Sequence, residues 1–122
     1  MREIKFRVWE ENIKQMFYNV GIVNDELYLM FDGVGFDVVG DYREFKLMQY
    51  TGLKGKNGKK IYEGDIVSYF GLKYEVLFKN GAFGWMEDGV FYSFNEMARS
   101  EFNKFEIIGN VYENPELLEG AV

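Results

Sequence analysis

Three two-residue turn signals, Gly71-Leu72, Asn80-Gly81 and Asp88-Gly89, punctuate the stretch from Ile66 to Phe94 and confine it to an antiparallel meander. Tight reversals also set the register. Around Asn80-Gly81, Phe78 should face Phe83 and Val76 should face Trp85. Around Asp88-Gly89, Trp85 should face Tyr92 and Phe83 should face Phe94. Around Gly71-Leu72, Tyr69 should face Tyr74 and Val67 should face Val76. Together the turns place Val67, Tyr69, Tyr74, Val76, Phe78, Phe83, Trp85, Tyr92 and Phe94 on one sheet face. A one-residue slip at any turn inverts that strand, so the agreement of three independent turns carries weight.

Composition points the same way. Phe, Tyr and Trp make up 19% of the 122 residues, a bias towards pleated, half-buried surfaces. The chain has no Cys and no His, which removes disulfides, thiolate and imidazole metal sites, and every Cys-His or Ser-His-Asp arrangement. A net charge of −6 argues against bulk attraction to nucleic acid or to an anionic membrane. No apolar run is long enough to span a bilayer. The start, Met1-Arg2-Glu3-Ile4-Lys5, has no apolar signal core, so a soluble cytoplasmic protein is expected.

Outside the meander, Ile4, Phe6 and Val8 alternate with Lys5, Arg7 and Trp9, and an apolar run resumes at Met16-Phe17-Tyr18, which reads as an N-terminal hairpin. Leu27 to Phe31 suits a strand, with Asp32-Gly33 turning into another near Phe36 to Val39. Ser93-Phe94-Asn95-Glu96 matches a capping box, predicting about two helical turns after it. Asn114-Pro115-Glu116 is a helix start with Asn as cap. The expected architecture is mainly β, with a C-terminal SH3-like small barrel over about 50–112. An N-terminal β-hairpin subdomain (1–46) is added to it, and short helices fall near 95–103 and 115–119, within a C-terminal part of 47–122.

Three stretches carry a family resemblance. They are Arg2-Glu3-Ile4-Lys5-Phe6-Arg7-Val8-Trp9, then Met48-Gln49-Tyr50-Thr51-Gly52-Leu53-Lys54 through Asn57-Gly58-Lys59 into Ile61-Tyr62-Glu63-Gly64-Asp65-Ile66-Val67, and finally Ile108-Gly109-Asn110-Val111-Tyr112-Glu113-Asn114-Pro115-Glu116-Leu117-Leu118. In that order and spacing they resemble the YopX family, small proteins of bacteriophages and prophages in Gram-positive bacteria. The resemblance implies an SH3-type barrel in the C-terminal part and a phage or prophage origin. It brings no catalytic residues, since the family has no assigned activity.

Charge by segment singles out one loop. Residues 1–50 carry −3, residues 51–80 carry +3 and residues 81–122 carry −6. Lys54, Lys56, Lys59 and Lys60 surround Asn57-Gly58, and a two-residue turn there sets Lys56 opposite Lys59. Like charges facing across a hairpin are mildly destabilising, and a phosphate backbone would relieve them. The competing reading is a solvated tip whose lysines protect a strand edge from aggregation. The ring face could stack bases, but nine large side chains on one face of a small barrel are more simply its core. Glu63-Gly64-Asp65, Asp37 with Asp41, and Glu87-Asp88 lack calcium-loop spacing, and Asp65 reads better as an acceptor for local backbone amides. Gly33-Val34-Gly35 lacks the third glycine and following helix of a phosphate loop. These readings call for no catalytic residue, cofactor or metal. They favour a non-enzymatic protein-interaction module that self-associates. A nucleic-acid-binding accessory protein using the 54–60 lysines is the alternative.

Overall fold

Alternating apolar residues do form strands at the N-terminus, and the register shows which of them meet. The structure, a computed structural model, describes residues 3–31 and 35–119, and the chain divides into two units, Met1–Tyr50 and Thr51–Val122. The first unit contains β1 (Phe6–Glu10), β2 (Gln15–Phe17), β3 (Val20–Val23), β4 (Glu26–Phe31), β5 (Gly35–Asp41) and the opening of β6 (Lys46–Lys54). β1 lies between β2 and β6, so Val8 faces Phe17 on one side and Leu47 on the other. Val8 and Leu27 are wholly buried. The expected N-terminal hairpin is β1–β2. The strands expected near Leu27–Phe31 and 36–39 are β4 and β5, with Tyr28 opposite Val38, while the Asp32-Gly33 turn falls outside the described residues. β3 was not expected. It reverses into β4 through Asn24 and Asp25, both at positive φ.

The second unit takes up the rest of β6, then β7 (Lys60–Tyr62), β8 (Asp65–Tyr69), β9 (Leu72–Glu75), β10 (Leu77–Lys79), β11 (Ala82–Glu87), β12 (Val90–Ser93) and β13 (Glu106–Asn110). One sheet has the order β13-β8-β9 and another β10-β11-β12. They curl into a half-barrel around Ile61, Val67, Val76, Phe94, Phe102 and Phe105, an arrangement consistent with the expected small barrel. The turns at Asn80-Gly81 and Asp88-Gly89 set their strands as anticipated, with Phe78 opposite Phe83 and Trp85 opposite Tyr92.

The remaining hairpin is a correction. It reverses at Phe70-Gly71, with φ of 50° and 82°, and puts Val67 opposite Tyr74 and Tyr69 opposite Leu72. The ladder differs because the left-handed pair is Phe70-Gly71, one residue earlier than Gly71-Leu72. Val76 keeps the shifted register. It leaves the strand between β9 and β10, donates its N–H to the Asp65 carbonyl at 2.8 Å and is wholly buried. The displacement is two residues, and side chains alternate with a period of two, so the ring face survives. Tyr69, Tyr74, Phe83 and Trp85 all pack against the core. Phe78 and Tyr92, on the two outer strands of their sheet, stay 49% and 37% exposed.

The helix expected over 95–103 is two 3₁₀ segments, Phe94–Glu96 and Arg99–Lys104. Ser93 Oγ accepts the Asn95 N–H at 3.0 Å, as a cap should, but Met97 and Ala98 are extended. That interruption lets Phe94, Phe102 and Phe105 all reach the core, with ring centroids 5.5–5.7 Å apart. Near the C-terminus Pro115–Leu117 is another 3₁₀ turn. Asn114 does not cap it. Its Oδ1 accepts the Asn110 N–H at 3.2 Å instead.

Candidate functional site

The lysine loop is more constrained than a plain hairpin tip. Gly55 donates its N–H to the Lys59 carbonyl at 2.7 Å, while the Lys56 N–H turns away to the Phe105 carbonyl at 2.8 Å. A longer 3.4 Å bond from the Lys59 N–H to the Lys56 carbonyl closes a 3₁₀ turn over Lys56–Gly58. Gly55 is needed here because a Cβ would stand 2.6 Å from the Phe105 carbonyl oxygen. The loop backbone is thus pinned to the chain before β13. Lys56 is drawn towards Glu106, with Nζ 3.4 Å from Oε2, which relieves the like-charge pairing expected with Lys59. Exposed ion pairs of this kind contribute little. Lys54, Lys56 and Lys59 are exposed and Lys60 is half-buried.

A second candidate lies inside the half-barrel. Val67, Val76, Phe94 and Phe105, all buried, form the floor of a pocket of about 160 Å³. Tyr69, Tyr74, Trp85 and Met97 wall it together with half-buried Glu75, and exposed Glu87 stands at its mouth. Trp85 is the central ring. It stacks on Tyr92 with centroids 5.6 Å apart and planes 22° apart, and meets Phe94 at 5.5 Å and Tyr74 at 6.0 Å. Its Nε1–H is buried without a hydrogen-bond partner among the described residues. Both wall tyrosines end on carboxylates, since Tyr69 Oη donates to Glu101 at 2.5 Å and Tyr74 Oη donates to Glu87 at 3.2 Å. Glu101 pushes the Tyr69 phenol pKa up, and burial together with Glu87 does the same for Tyr74. The sequence pointed to these rings as core. The pocket they leave was not legible, because it gathers side chains from residues 67 to 105 that no local pattern brings together.

The carboxylates singled out in the sequence do not gather in threes among the described residues. Asp65 is buried, and its Oδ2 accepts the Tyr62 N–H at 2.7 Å, the local backbone role expected of it. Asp41 accepts from both the guanidinium and the backbone N–H of Arg43, which hold its carboxyl down to about 2. Among the described residues no three carboxylates gather as a cation site. No helix among them is long and apolar enough to cross a membrane.

The comparisons bear on the whole chain. A family model described as YopX protein matches residues 5–119. The chain belongs to the YopX family. It is similar to the crystal structure of protein EF1440 from Enterococcus faecalis, at 29% identity and a TM-score of 0.70, over 98% of this chain and 100% of that one. It is likewise similar to the X-ray structure of YopX from Bacillus subtilis, at 28% identity and a TM-score of 0.66, with both chains covered completely. No curated protein matches it. In this YopX-family chain the lysine loop and the ring-lined pocket both fall inside the matched residues.

Proposed function

We propose that this is a phage or prophage accessory protein acting in the cytoplasm of a bacterial host, a non-enzymatic module that works through protein contacts and self-associates. Phe70 carries the reading. Its φ is 50°, a conformation that costs an L residue about 1–2 kcal/mol. Its ring is also 75% exposed. The turns at Asn80-Gly81 and Asp88-Gly89 in the same unit place Asn80 and Asp88 at the equivalent position, residues that tolerate positive φ. A bulky ring held against both its backbone and its hydration preference makes sense where a contact covers it. Leu72, 56% exposed, adds to the same tip. Family membership supports the origin and contributes no catalytic residue.

Light scattering behind size exclusion tests this, with Phe70→Asn as the variant. The wild type should run as a dimer or larger and the variant as a monomer. The variant should also melt at the same or a higher temperature, because asparagine relieves the turn. A wild-type monomer at high micromolar concentration removes self-association. An unchanged oligomer in Phe70→Asn removes the contact through this tip.

A second reading, nucleic-acid binding, rests on the pinned loop that presents exposed Lys54, Lys56 and Lys59 together, with Lys60 beside them. It predicts a salt-sensitive anisotropy change with labelled DNA or RNA, lost in Lys56→Glu with Lys59→Glu. No change at low salt removes it.

A further inference from the structure

We propose that the ring-lined pocket of the second unit binds an alkylated ammonium cation. The proposal is independent of the Phe70 contact and of the lysine loop. Three observations carry it. The walls are aromatic, with the rings of Tyr69, Tyr74 and Trp85 lining a space of about 160 Å³. A cavity of about 150 Å³ holds a benzene-sized guest, so a trimethylammonium head fits and a nucleoside does not. The charge is one-sided. No lining residue is basic, Glu75 and Glu87 both belong to the lining, and Glu101 holds the Tyr69 hydroxyl. Each tyrosine donates its hydroxyl to one of these carboxylates, which holds the rings in place and leaves negative potential at the opening. The ring quadrupole and the carboxylates therefore act in the same direction on an entering cation.

The floor of Val67, Val76, Phe94 and Phe105 supplies apolar contact for the alkyl groups but no acceptor for an N–H donor. An ammonium carrying alkyl groups meets that floor with carbon, whereas a primary ammonium would have to turn its N–H donors to Glu75 or Glu87. The buried Trp85 Nε1–H, carried by a ring that lines the pocket, provides the reporter.

The test follows the indole Nε1–H resonance of Trp85 in the full-length ¹⁵N-labelled chain. Titrants are choline, its uncharged isostere 3,3-dimethyl-1-butanol, and N-acetyl-Nε-trimethyl-lysine amide, with sodium chloride matched throughout. Both ammonium probes should shift the resonance saturably, and the neutral isostere should bind about tenfold more weakly, the scale of a desolvated cation–π contact. Glu87→Gln, whose amide oxygen can still accept the Tyr74 hydroxyl, should weaken the cations about threefold and the isostere by less than that. If trimethyl-lysine binds more tightly than choline, the cation comes from a modified protein. If choline binds more tightly, it comes from a choline head group. Equal binding of choline and the isostere overturns the proposal, as does no saturable shift with either ammonium probe.

Discussion

Tyr69 Oη donates to Glu101 Oε1 at 2.5 Å, tying β8 to a 3₁₀ segment 32 residues further along the chain. Lys104 Nζ meets the other carboxylate oxygen at 3.0 Å. The Tyr69 bond, with help from Lys104, lowers the Glu101 pKa below its ordinary 4.5. A carboxylate whose folded pKa is depressed adds stability above its unfolded pKa and loses it as pH falls through the folded one. Tyr69→Phe should therefore lower the melting temperature at neutral pH, with the deficit shrinking through the acid range. Thermal unfolding followed by circular dichroism checks this. A variant that keeps the wild-type acid profile contradicts it.

Asp65 should matter for folding. Asp65→Ala leaves the buried Tyr62 N–H without the acceptor now 2.7 Å away, at a cost of about 1–3 kcal/mol. Asp65→Asn keeps an oxygen in place and should cost less. Urea unfolding of the two variants gives the order, and equal losses contradict it.

Gly84 is buried opposite Ser93, where a Cβ would collide with the Tyr92 carbonyl oxygen and crowd the Phe91 ring at 2.8 Å. The obstruction is mostly backbone, which cannot swing aside. Gly84→Ala should destabilise by about 1–3 kcal/mol, the usual cost of overpacking. A melting temperature within error of wild type refutes this account of the ribbon.

Glu75 is paired with Ile66 in the β8–β9 ladder, and burial, reinforced by the charge of Glu63, pushes its carboxyl pKa up. A raised folded pKa means the charged form is penalised, so this group lowers stability at neutral pH and is relieved by protonation. Glu75→Gln should gain well under about 1 kcal/mol at neutral pH. The gain should vanish as pH falls below the raised pKa. Denaturant melts across that window give the sign, and a loss at neutral pH refutes it.

The β character and the ring face were legible because their signals are local and redundant. Asn80-Gly81 and Asp88-Gly89 each specify a turn with the two residues that favour positive φ. Gly71 was visible too, but its partner is Phe70, which local preference speaks against, so the reversal was expected one residue later. Parity protected the outcome, because the pairing moved by two and Val67, Tyr69 and Tyr74 kept their face. Tertiary demands were harder to see. Lys56 leaves its hairpin because a carbonyl at Phe105 competes for its N–H, and nothing near residue 56 announces that. Asn114 gives up its cap to the Asn110 amide, and the helix after Ser93 breaks so that three phenylalanines can converge. β3 went unread because Asn24-Asp25 reverses the chain without a glycine.

A single valine separates β9 from β10, and its amide goes back to Asp65 instead of along the ribbon. The span 77–93 is thereby moored at Val76 on one side and Phe94 on the other. A pair of residues added at either Asn80-Gly81 or Asp88-Gly89 preserves the side on which the rings stand without re-threading the interior. It costs closure entropy that rises only with the logarithm of loop length. Added length in this chain is best accommodated at those two extremities, and the mooring points are where it must stop.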